Sequence, residues 1–309
     1  MLWECDVSIM NQIICYGEIL WDILPGAEVP GGAPMNVAYH LNKLGHPPAV
    51  ITRIGKDERG EKIIELLEGK NIVTKHIQLD NLLPTGIVYA TPNERMEMQY
   101  DIVAPVAWDV IEWNDELGEL FSGNHYFVFG SLIARNPTSR DTLFRLLDVA
   151  RNKVLDINLR PPHYDNKLLN DLLTKADIVK MNHEELHFIS DWFDRDLKTD
   201  EDRINLVQNK FKVDTVIVTK GGDGALFSID GKIYSHPGFK VIVQDTVGSG
   251  DSFLAALLAG MIDNRKPADM LEFACAVGAL VTSKKGGWPE YELSDIQHII
   301  TTQPPLPQE

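Results

Sequence analysis

The amino-acid sequence predicts an α/β fold, in which a mainly parallel sheet is flanked by helices on both faces. Two observations lead to this prediction: short apolar runs recur along most of the chain, and amphipathic helical stretches lie between several of them. Alternation of this kind builds βαβ units, and such units form parallel sheets covered by helices. Two segments break the alternation, and these predict a small second sheet.

Six apolar runs are predicted to be buried strands, at residues 13–16, 49–54, 125–129, 153–157, 178–181 and 215–219. Amphipathic helices are expected at residues 36–44, 60–70, 139–151 and 201–211. Ligands of such a sheet bind at the carboxyl ends of its strands, beside the loops that follow. Site residues are therefore expected directly after these runs.

The two segments that break the alternation are residues 19–30 and residues 86–102. The first is short, apolar and punctuated by proline and glycine, and the second alternates as a hairpin does, with residues 91–95 as its turn. Together they predict a small antiparallel sheet that projects from the main one, over about residues 18–31 and 85–105. Beside a pocket, such a sheet would act as a lid that excludes water, and an ordinary sheet edge is the alternative.

The length allows one large domain or two average ones, and the polar, proline-rich residues 301–309 are expected to form a frayed tail. The formal net charge of −16 argues against nucleic acid and anionic membranes as partners, because a field of that sign repels them. Cys5, Cys15 and Cys275 form no C-x-x-C pair, and the first residues lack a signal-peptide pattern. A cytoplasmic protein is expected.

Residues 245–252, Asp-Thr-Val-Gly-Ser-Gly-Asp-Ser, lie between a predicted strand at residues 240–244 and a predicted helix at residues 253–261. Glycines at such a turn let backbone amides converge with the helix N-terminus on an anion, which suits a transferring phosphoryl group. Asp251 lies inside this site and is placed to accept a proton from an attacking hydroxyl. The alternative is an N-capped helix after a glycine turn, without a catalytic role.

The same segment closely resembles the D-T-x-G-A-G-D signature of the ribokinase-like (PfkB) carbohydrate kinases. Four other segments are similar to motifs of this family, in the family's order. They are the sugar-binding segment at residues 31–38, the G-x-D-x-x-G motif at 54–60, the N-x-x-E motif at 182–185 and the nucleotide-binding loop at 218–224. The resemblance spans about residues 16–287 and implies a single ribokinase-like domain over residues 1–309, with a lid. It also implies ATP-dependent phosphorylation of a sugar hydroxyl and a homodimer formed through the lids.

Catalytic roles follow from the resemblance for four residues. Asp251 would be the base that deprotonates the sugar hydroxyl, and the amides of Gly248, Ser249 and Gly250 would hold the transition-state charge. Ser249 stands where the family commonly has alanine. The hydroxyl should be tolerated, because the backbone amide does the binding.

Five residues are implied to contact the sugar: Asp22, Gly32, Asn36, Asn158 and Arg160. Asp22 can accept hydrogen bonds from two hydroxyls, and Gly32 permits close approach of the backbone. Turn formation is the alternative role for Asp22, Gly32 and Asn36, since these residue types are the usual turn formers. A surface salt bridge is the alternative role for Arg160.

The resemblance also implies a nucleotide site that uses Thr219, Lys220, Gly221 and Gly224. Cys275 would flank the adenine, at a position where the family often has asparagine. Lys220 would meet phosphate, or would only be solvated.

Two cation sites are implied as well. Asn182 and Glu185 would organise Mg²⁺ through water, which suits an ion that dehydrates reluctantly. The backbone carbonyls of Asp245 and Val247 would be the ligands of K⁺, which many relatives use near the anion site.

Fructose, converted to fructose 6-phosphate, is the expected substrate. Residues 31–36, 106–109 and 156–160 are similar to the corresponding segments of fructokinases. The close alternative is 2-keto-3-deoxygluconate, whose carboxylate should prefer a further cationic or tyrosine contact from the lid. Arg95 and Tyr100 are available for that contact.

A rival motif from another class overlaps the N-x-x-E segment. His183-Glu184-Glu-Leu-His187 matches the H-E-x-x-H of zinc metalloproteases, in which Glu184 would be the general base. No nearby downstream pattern supplies a convincing third zinc ligand, and Asn182 is a good N-cap that places the segment on the first turn of a helix. A strand-end Mg²⁺ site fits that position better.

A third hypothesis, a sugar-binding regulator without turnover, is disfavoured by the intact Asp251 and its glycine turn.

Overall fold

A computed structural model of the chain describes residues 12–92 and 98–303. Its strands are β1 (Gln12–Tyr16), β2 (Leu20–Leu24), β3 (Ala27–Gly31), β4 (Ala49–Gly55), β5 (Ile77–Asp80), β6 (Gly86–Pro92), β7 (Met98–Ile102), β8 (His125–Gly130), β9 (Lys153–Asp156), β10 (Ile178–Asn182), β11 (Thr215–Thr219), β12 (Ala225–Ile229) and β13 (Lys232–His236). Its helices are α1 (Ala33–Lys43), α2 (Glu58–Gly69), α3 (Asp115–Glu119), α4 (Pro137–Val149), α5 (Asn166–Lys175), α6 (His183–Ser190), α7 (Asp200–Phe211), α8 (Ser249–Ile262), α9 (Pro267–Thr282) and α10 (Leu293–Thr302).

The large sheet has the strand order β13-β12-β11-β10-β9-β8-β1-β4-β5 in the described residues. Its pairs are parallel from β5 across to β11, and only the β11–β12 and β12–β13 pairs are antiparallel. The mainly parallel α/β sheet is thus confirmed, and each of the six predicted strands is present to within one residue at either end. Parallel pairing brings the carboxyl ends of β1, β9, β10 and β11 to one edge.

Helices cover both faces of this sheet, as predicted, because side chains alternate along each strand. In β1, Ile13 and Cys15 join one buried cluster together with residues of α1, α8 and α9. Ile14 and Tyr16 join a second cluster, with residues of α4, α5, α6 and α7. The two apolar clusters therefore lie on opposite sides of a strand that is buried on both faces.

The small sheet is separate and has the order β3-β2-β6-β7. The β2–β3 and β6–β7 pairs are antiparallel, and the predicted 86–102 hairpin is confirmed, although part of its turn lies outside the described residues. The central β2–β6 pair is parallel, so the prediction of a wholly antiparallel sheet was wrong. The two halves enter from different parts of the chain, which allows either direction of pairing.

Three local predictions need correction. Residues 240–244 form no strand, and Ile242 and Val243 are 86% and 62% exposed, so this apolar run has no sheet to pack into. Helix α8 begins at Ser249, four residues earlier than predicted, which brings Asp251 into its first turn. At the other end, Thr301 and Thr302 still belong to α10, while residues 304–309 of the predicted tail lie outside the described residues.

The described part of the chain contains no helix that is both long enough and apolar enough to cross a bilayer.

Candidate active site

A glycine turn leads into α8 and sets the direction of its first amides. Gly248, the N-cap of α8, has a φ of 74°, in the left-handed region that favours glycine. A Cβ at this position would lie 2.8 Å from the Cα of Gly287, so the turn is also packed too closely for a side chain. The amides of Ser249 and Gly250 follow in the first helical turn, where helix N–H groups lack partners within the helix. The predicted anion-binding amides are thus clustered at one helix start.

Asp245 and Ser249 hold this turn in place. Asp245 accepts hydrogen bonds from the amides of Val247, at 3.0 Å, and Gly286, at 2.9 Å, so its carboxylate joins two loops. The Ser249 hydroxyl donates to the carbonyl of Gly278 at 3.2 Å. Serine at a position where alanine is common thus ties the turn to α9 through its hydroxyl, while its amide donates to the carbonyl of Thr246 at 3.3 Å.

Asp251 is 9% exposed and accepts a hydrogen bond of 2.7 Å from the Asn36 side-chain amide. The Asn36 amide oxygen in turn accepts from the indole N–H of Trp288, at 2.7 Å. The Trp288 ring stacks on Tyr39, one helical turn along α1, with ring centroids 5.2 Å apart. The indole donor therefore fixes which end of the Asn36 amide faces the carboxylate.

A buried lysine lies beside Asp251. Burial raises the pKa of Asp251 to about 6, Lys180 opposes that shift and Asp156 reinforces it. Lys180 is 7% exposed and pairs with both carboxylate oxygens of Asp156, at 2.8 and 3.0 Å. A Cβ on Gly250 would lie 3.0 Å from its ammonium nitrogen, so the cation sits directly against the glycine turn.

This arrangement suits general-base catalysis. At neutral pH a carboxyl group with a pKa of about 6 is mostly ionised, yet it remains basic enough to take a proton from an alcohol. The amides of Gly248, Ser249 and Gly250 and the nearby Lys180 ammonium offer positive charge to an anionic group beside it. The site can therefore deprotonate a hydroxyl and stabilise the charge of the group that the hydroxyl attacks.

Two more carboxyl groups lie at the carboxyl end of β1 and on the small sheet: Glu18 is buried, and Asp22 is half-buried. Burial raises the pKa of Glu18 to about 7 and that of Asp22 to about 6. The positive charge of the Arg160 guanidinium lowers the pKa of both groups and also that of Asp251. One cation therefore acts electrostatically on three carboxyl groups. No described carboxylate lies within 4.0 Å of Arg160, so the surface salt bridge proposed as its alternative role is absent from the described structure.

Gly32 and Asn158 shape the backbone around this region. Gly32 has a φ of 109°, and a Cβ there would collide with the carbonyl oxygen of Glu18. Only glycine lets the chain pass this close on its way from β3 into α1. Asn158, just after β9, has a φ of 39°, a left-handed conformation that asparagine tolerates better than most residues.

Asn182 and Glu185 form a reciprocal capping box at the start of α6. The Asn182 side chain accepts from the Glu185 amide at 2.9 Å, and Glu185 accepts from the Asn182 amide at 2.8 Å. The second oxygen of Glu185 accepts from the Leu159 amide, at 2.8 Å. The motif thus joins the end of β10 to the loop that carries Asn158 and Arg160.

The predicted nucleotide loop follows β11, the strand next to β10. Thr219 pairs with Asn182 in the sheet register, so this loop starts beside the N-x-x-E segment. Gly221 and Gly224 have φ values of 57° and 82°, and a Cβ on Gly224 would collide with the carbonyl oxygen of His236. The Lys220 amide donates to the Gly224 carbonyl at 2.8 Å and closes the loop.

Cys275 lies in α9, which packs against α8. Its side chain belongs to the apolar core and is 5% exposed. A contact between this thiol and a nucleotide stays a prediction.

Sequence reasoning missed three residues of the site: Lys180, Trp288 and Glu18. Lys180 did leave a signal, since a lysine inside the apolar run at residues 178–181 needs a buried partner. Trp288 and Glu18 left none, because their contacts join distant parts of the chain.

The fructokinase-like segment at residues 106–109 is held in place by Arg135. Asp109 is 1% exposed and receives two hydrogen bonds from Arg135, at 2.7 and 2.8 Å. Arg135 also lies over the Trp108 ring, 3.9 Å from its centroid, and donates to the carbonyl of Val103 at 2.7 Å. These residues therefore anchor the chain where it leaves the small sheet.

Comparison with known proteins identifies the family of this chain. The chain matches the pfkB family of carbohydrate kinases over residues 10–290. A sugar kinase from Pyrococcus horikoshii, uncharacterized in function, is 31% identical over 316 residues, which cover 91% of this chain and 93% of that protein. A fructokinase from Salmonella typhimurium is 29% identical over 290 residues, which cover 87% of this chain and 92% of the relative.

Among solved structures, a fructokinase from Xylella fastidiosa with bound ATP has the same fold, with a TM-score of 0.84 and 22% identity. The match covers 95% of this chain and 99% of that one. The ribokinase-like architecture is therefore confirmed, and the chain belongs to the pfkB family of carbohydrate kinases.

Proposed function

We propose that this carbohydrate kinase transfers the γ-phosphoryl group of ATP to the 6-hydroxyl of fructose, with Asp251 as the general base. The observation that carries the proposal is the buried Asp251 carboxylate, held by Asn36 at 2.7 Å within the first turn of α8. Asp251 takes the hydroxyl proton as the oxygen attacks phosphorus, and the ADP oxygen leaves. The amides of Gly248, Ser249 and Gly250 stabilise the charge of the transferring group.

Fructose is supported by the relatives that are named fructokinases and by the three fructokinase-like segments. Asp22 and Arg160 offer a carboxylate and a guanidinium for sugar hydroxyls, and Asn158 lies two residues after the end of β9. Asn36 is suited to contact both the sugar and the base, since one amide nitrogen has two hydrogens. The absence of a side chain at Gly32 lets the backbone of the sugar-binding segment pack closely against Glu18.

The nucleotide is assigned to the loop of Thr219, Lys220, Gly221 and Gly224, with Cys275 near the adenine. Two observations support this assignment: the loop follows a strand next to β10, and α9 packs on the helix that carries Asp251. The similar Xylella fastidiosa fructokinase was solved with ATP.

Mg²⁺ is assigned to Asn182 and Glu185, acting through water. The donor set fits, because the buried Glu185 offers a carboxylate, the exposed Asn182 offers an amide oxygen, and Mg²⁺ prefers oxygen ligands. Both Glu185 oxygens already accept backbone amides, which favours contact through water over direct ligation. When bound with the nucleotide, Mg²⁺ supplies neutralisation of phosphate charge. For K⁺, the proposed ligands are the carbonyls of Asp245 and Val247, in the turn whose geometry the Asp245 side chain fixes.

The small sheet is assigned the part of a lid, and a homodimer through the lids is proposed with it. Asp22 lies on this sheet, so closure of the lid would bring the sugar-binding carboxylate of Asp22 towards the catalytic turn. Tyr89 is 44% exposed on β6, and an exposed aromatic ring on a small sheet suits a dimer contact. A cytoplasmic location is part of the same proposal, supported by the free, buried thiols of Cys15 and Cys275.

One observation favours 2-keto-3-deoxygluconate as a second candidate sugar. The register pairs Asp22 with Val88 and Val88 with Ile102, so Tyr100, two residues before Ile102, lies on the same face of the lid as Asp22. Tyr100 is 53% exposed and could contact a substrate carboxylate. Arg95, the other residue considered for that contact, lies outside the described residues.

A sugar panel with coupled detection of ADP release tests the proposal. Fructose and 2-keto-3-deoxygluconate are compared side by side with ribose, each with ATP and Mg²⁺. The proposal expects the highest kcat/KM with fructose and a phosphate ester at the 6-position by NMR. A higher kcat/KM for 2-keto-3-deoxygluconate would replace fructose as the substrate, and no ADP release with any sugar would overturn the proposed reaction.

A further inference from the structure

Outside the kinase machinery, two histidines and one aspartate converge on a single point. His183 and His187 lie four residues apart on α6, so they share a face of that helix. The first residue of α7, Asp200, meets both of them. The three ligand atoms form a triangle: His183 Nε2 to Asp200 Oδ1 is 3.0 Å, His187 Nε2 to Asp200 Oδ1 is 3.4 Å, and the two Nε2 atoms are 3.2 Å apart.

That triangle has the size of one face of a zinc site. In tetrahedral coordination with Zn–N and Zn–O bonds of about 2.1 Å, neighbouring ligand atoms lie about 3.4 Å apart. The three observed separations fall between 3.0 and 3.4 Å. Hydrogen bonding accounts less well for the triangle, since a single carboxylate oxygen serves two imidazoles whose nitrogens also face each other.

We propose that His183, His187 and Asp200 bind one divalent transition-metal ion of the zinc class. Two imidazole nitrogens and one carboxylate oxygen are typical zinc ligands, whereas Mg²⁺ prefers oxygen ligands alone. The side chains are 46%, 40% and 19% exposed, so an ion can enter from solvent and the remaining coordination position is open to water. The pair of neutral imidazoles with one carboxylate leaves the bound ion a net positive charge, which a chain of net charge −16 accommodates.

This site is compatible with the kinase motif that shares its segment. From the sequence, the H-E-x-x-H and N-x-x-E patterns compete for one stretch of chain. The structure separates them, because the two histidines meet Asp200 while Glu185 accepts hydrogen bonds from Asn182 and Leu159. The third ligand that the sequence analysis did not find is Asp200, thirteen residues after His187. Since the chain is a carbohydrate kinase, the motif serves metal binding here without the peptidase reaction.

The metal site also lies next to the nucleotide loop. The second oxygen of Asp200 is 3.9 Å from the ammonium of Lys220. A bound cation would compete with Lys220 for that carboxylate. We therefore expect Lys220→Met to bind the metal more tightly than the unmodified chain does.

The test uses the full-length chain without a polyhistidine tag, freed of metal by EDTA and then dialysed. Co²⁺ is titrated in, its visible absorption is followed, and Zn²⁺ is then used to displace it. We expect one Co²⁺ per chain, with displacement by one equivalent of Zn²⁺ and none by Mg²⁺. No sugar or nucleotide is present, so the result is independent of the proposed kinase reaction.

Variants locate the ion. His183→Gln, His187→Gln and Asp200→Asn should each weaken binding more than about 100-fold, because even outer residues of metal sites cost 10- to 100-fold. His46→Gln is the matched control, since His46 meets Asp263 at 3.2 Å in a pair that lies outside the triangle. In the presence of EDTA, all variants should have the same Tm as the unmodified chain. The proposal is overturned if Co²⁺ does not bind, if the three variants bind it normally, or if His46→Gln loses it equally.

Discussion

The side-chain amide of Asn36 donates to the carboxylate of Asp251 at 2.7 Å, although 215 positions separate the two residues in the chain. The contact joins α1, which follows β3 of the small sheet, to α8, which follows the glycine turn. A carboxylate held in this way depends on packing between distant segments, and its pKa can be changed by substitutions in either segment.

Asp251→Asn should lower kcat by a factor of about 10²–10⁴, which is the usual contribution of a general base. The amide keeps the size of the carboxylate and can still accept from Asn36, so ATP binding should change little. Coupled ADP-release kinetics measure kcat, and calorimetric titration with ATP measures binding. Asp263→Asn, at the other end of α8, is the control and should keep full activity. A turnover within a few-fold of the unmodified enzyme for Asp251→Asn would refute the assignment of the base.

Trp288→Phe should shift the pH profile while leaving the ring stack on Tyr39 in place. The hydrogen bond from Asn36 lowers the pKa of Asp251, and without the indole donor the Asn36 amide is free to turn away. The pKa of Asp251 should then rise above its value of about 6. Because the base must be ionised, the acid limb of kcat/KM should move to higher pH, and activity should fall at pH 6 more than at pH 8.

Trp113→Phe is the matched control for this substitution. The Trp113 ring packs against Arg145, with its centroid 4.5 Å from the guanidinium carbon, and touches neither Asn36 nor Asp251. Its acid limb should coincide with that of the unmodified enzyme. Identical pH profiles for Trp288→Phe and the unmodified enzyme would show that the indole does not position Asn36.

The contrast between Asp251 and Trp288 shows how far the sequence alone could reach. Apolar runs and local turn chemistry predicted six strands of the large sheet and the glycine turn before α8, because these depend on neighbouring residues. The run at residues 240–244 misled for the same reason: a local pattern cannot show that Ile242 has no sheet to enter. Contacts such as Trp288 to Asn36 span 252 positions, and only the packed fold reveals them.

Lys180→Met should lower the free energy of unfolding by about 3–5 kcal/mol, since it leaves the buried Asp156 carboxylate without a partner. The pair is 2.8 Å apart, with both side chains less than a tenth exposed. Urea unfolding measures the loss. The double variant Lys180→Met with Asp156→Leu should recover part of that loss, because an apolar pair of similar volume removes both buried charges.

The exposed pair of Lys175 and Asp148, 2.6 Å apart, provides the comparison for the buried one. Lys175→Met should change the free energy of unfolding by less than about 1 kcal/mol, as is usual for solvent-exposed ion pairs. If Lys180→Met were no more destabilising than Lys175→Met, the buried lysine would not be compensating Asp156.

Gly248→Ala should reduce kcat by about 10²–10³, the loss expected when an anion-binding amide is displaced. The added Cβ would lie 2.8 Å from the Cα of Gly287, so the turn has to move. Gly286→Ala is a close control: Gly286 has the same φ of 74°, but a Cβ there meets nothing within 4 Å. Both variants carry the strain of a left-handed alanine, and only the first displaces the amides. Equal kcat values for the two variants would remove Gly248 from the anion site.

Asp22→Ala should raise the KM for the sugar by about 10- to 150-fold, since a hydrogen bond to a charged group contributes about 1.5–3 kcal/mol. The kcat should fall much less, because Asp251 and its turn are unchanged.

Burial raises the pKa of Asp22 to about 6, so in the unmodified enzyme the sugar KM should also increase as the pH falls below 6 and the carboxylate becomes protonated. That increase should be absent in Asp22→Ala. Glu28→Ala, an exposed carboxylate on the adjacent strand that pairs with Arg59, should keep both the KM and its pH dependence. An unchanged sugar KM in Asp22→Ala would show that this carboxylate of the small sheet does not bind the substrate.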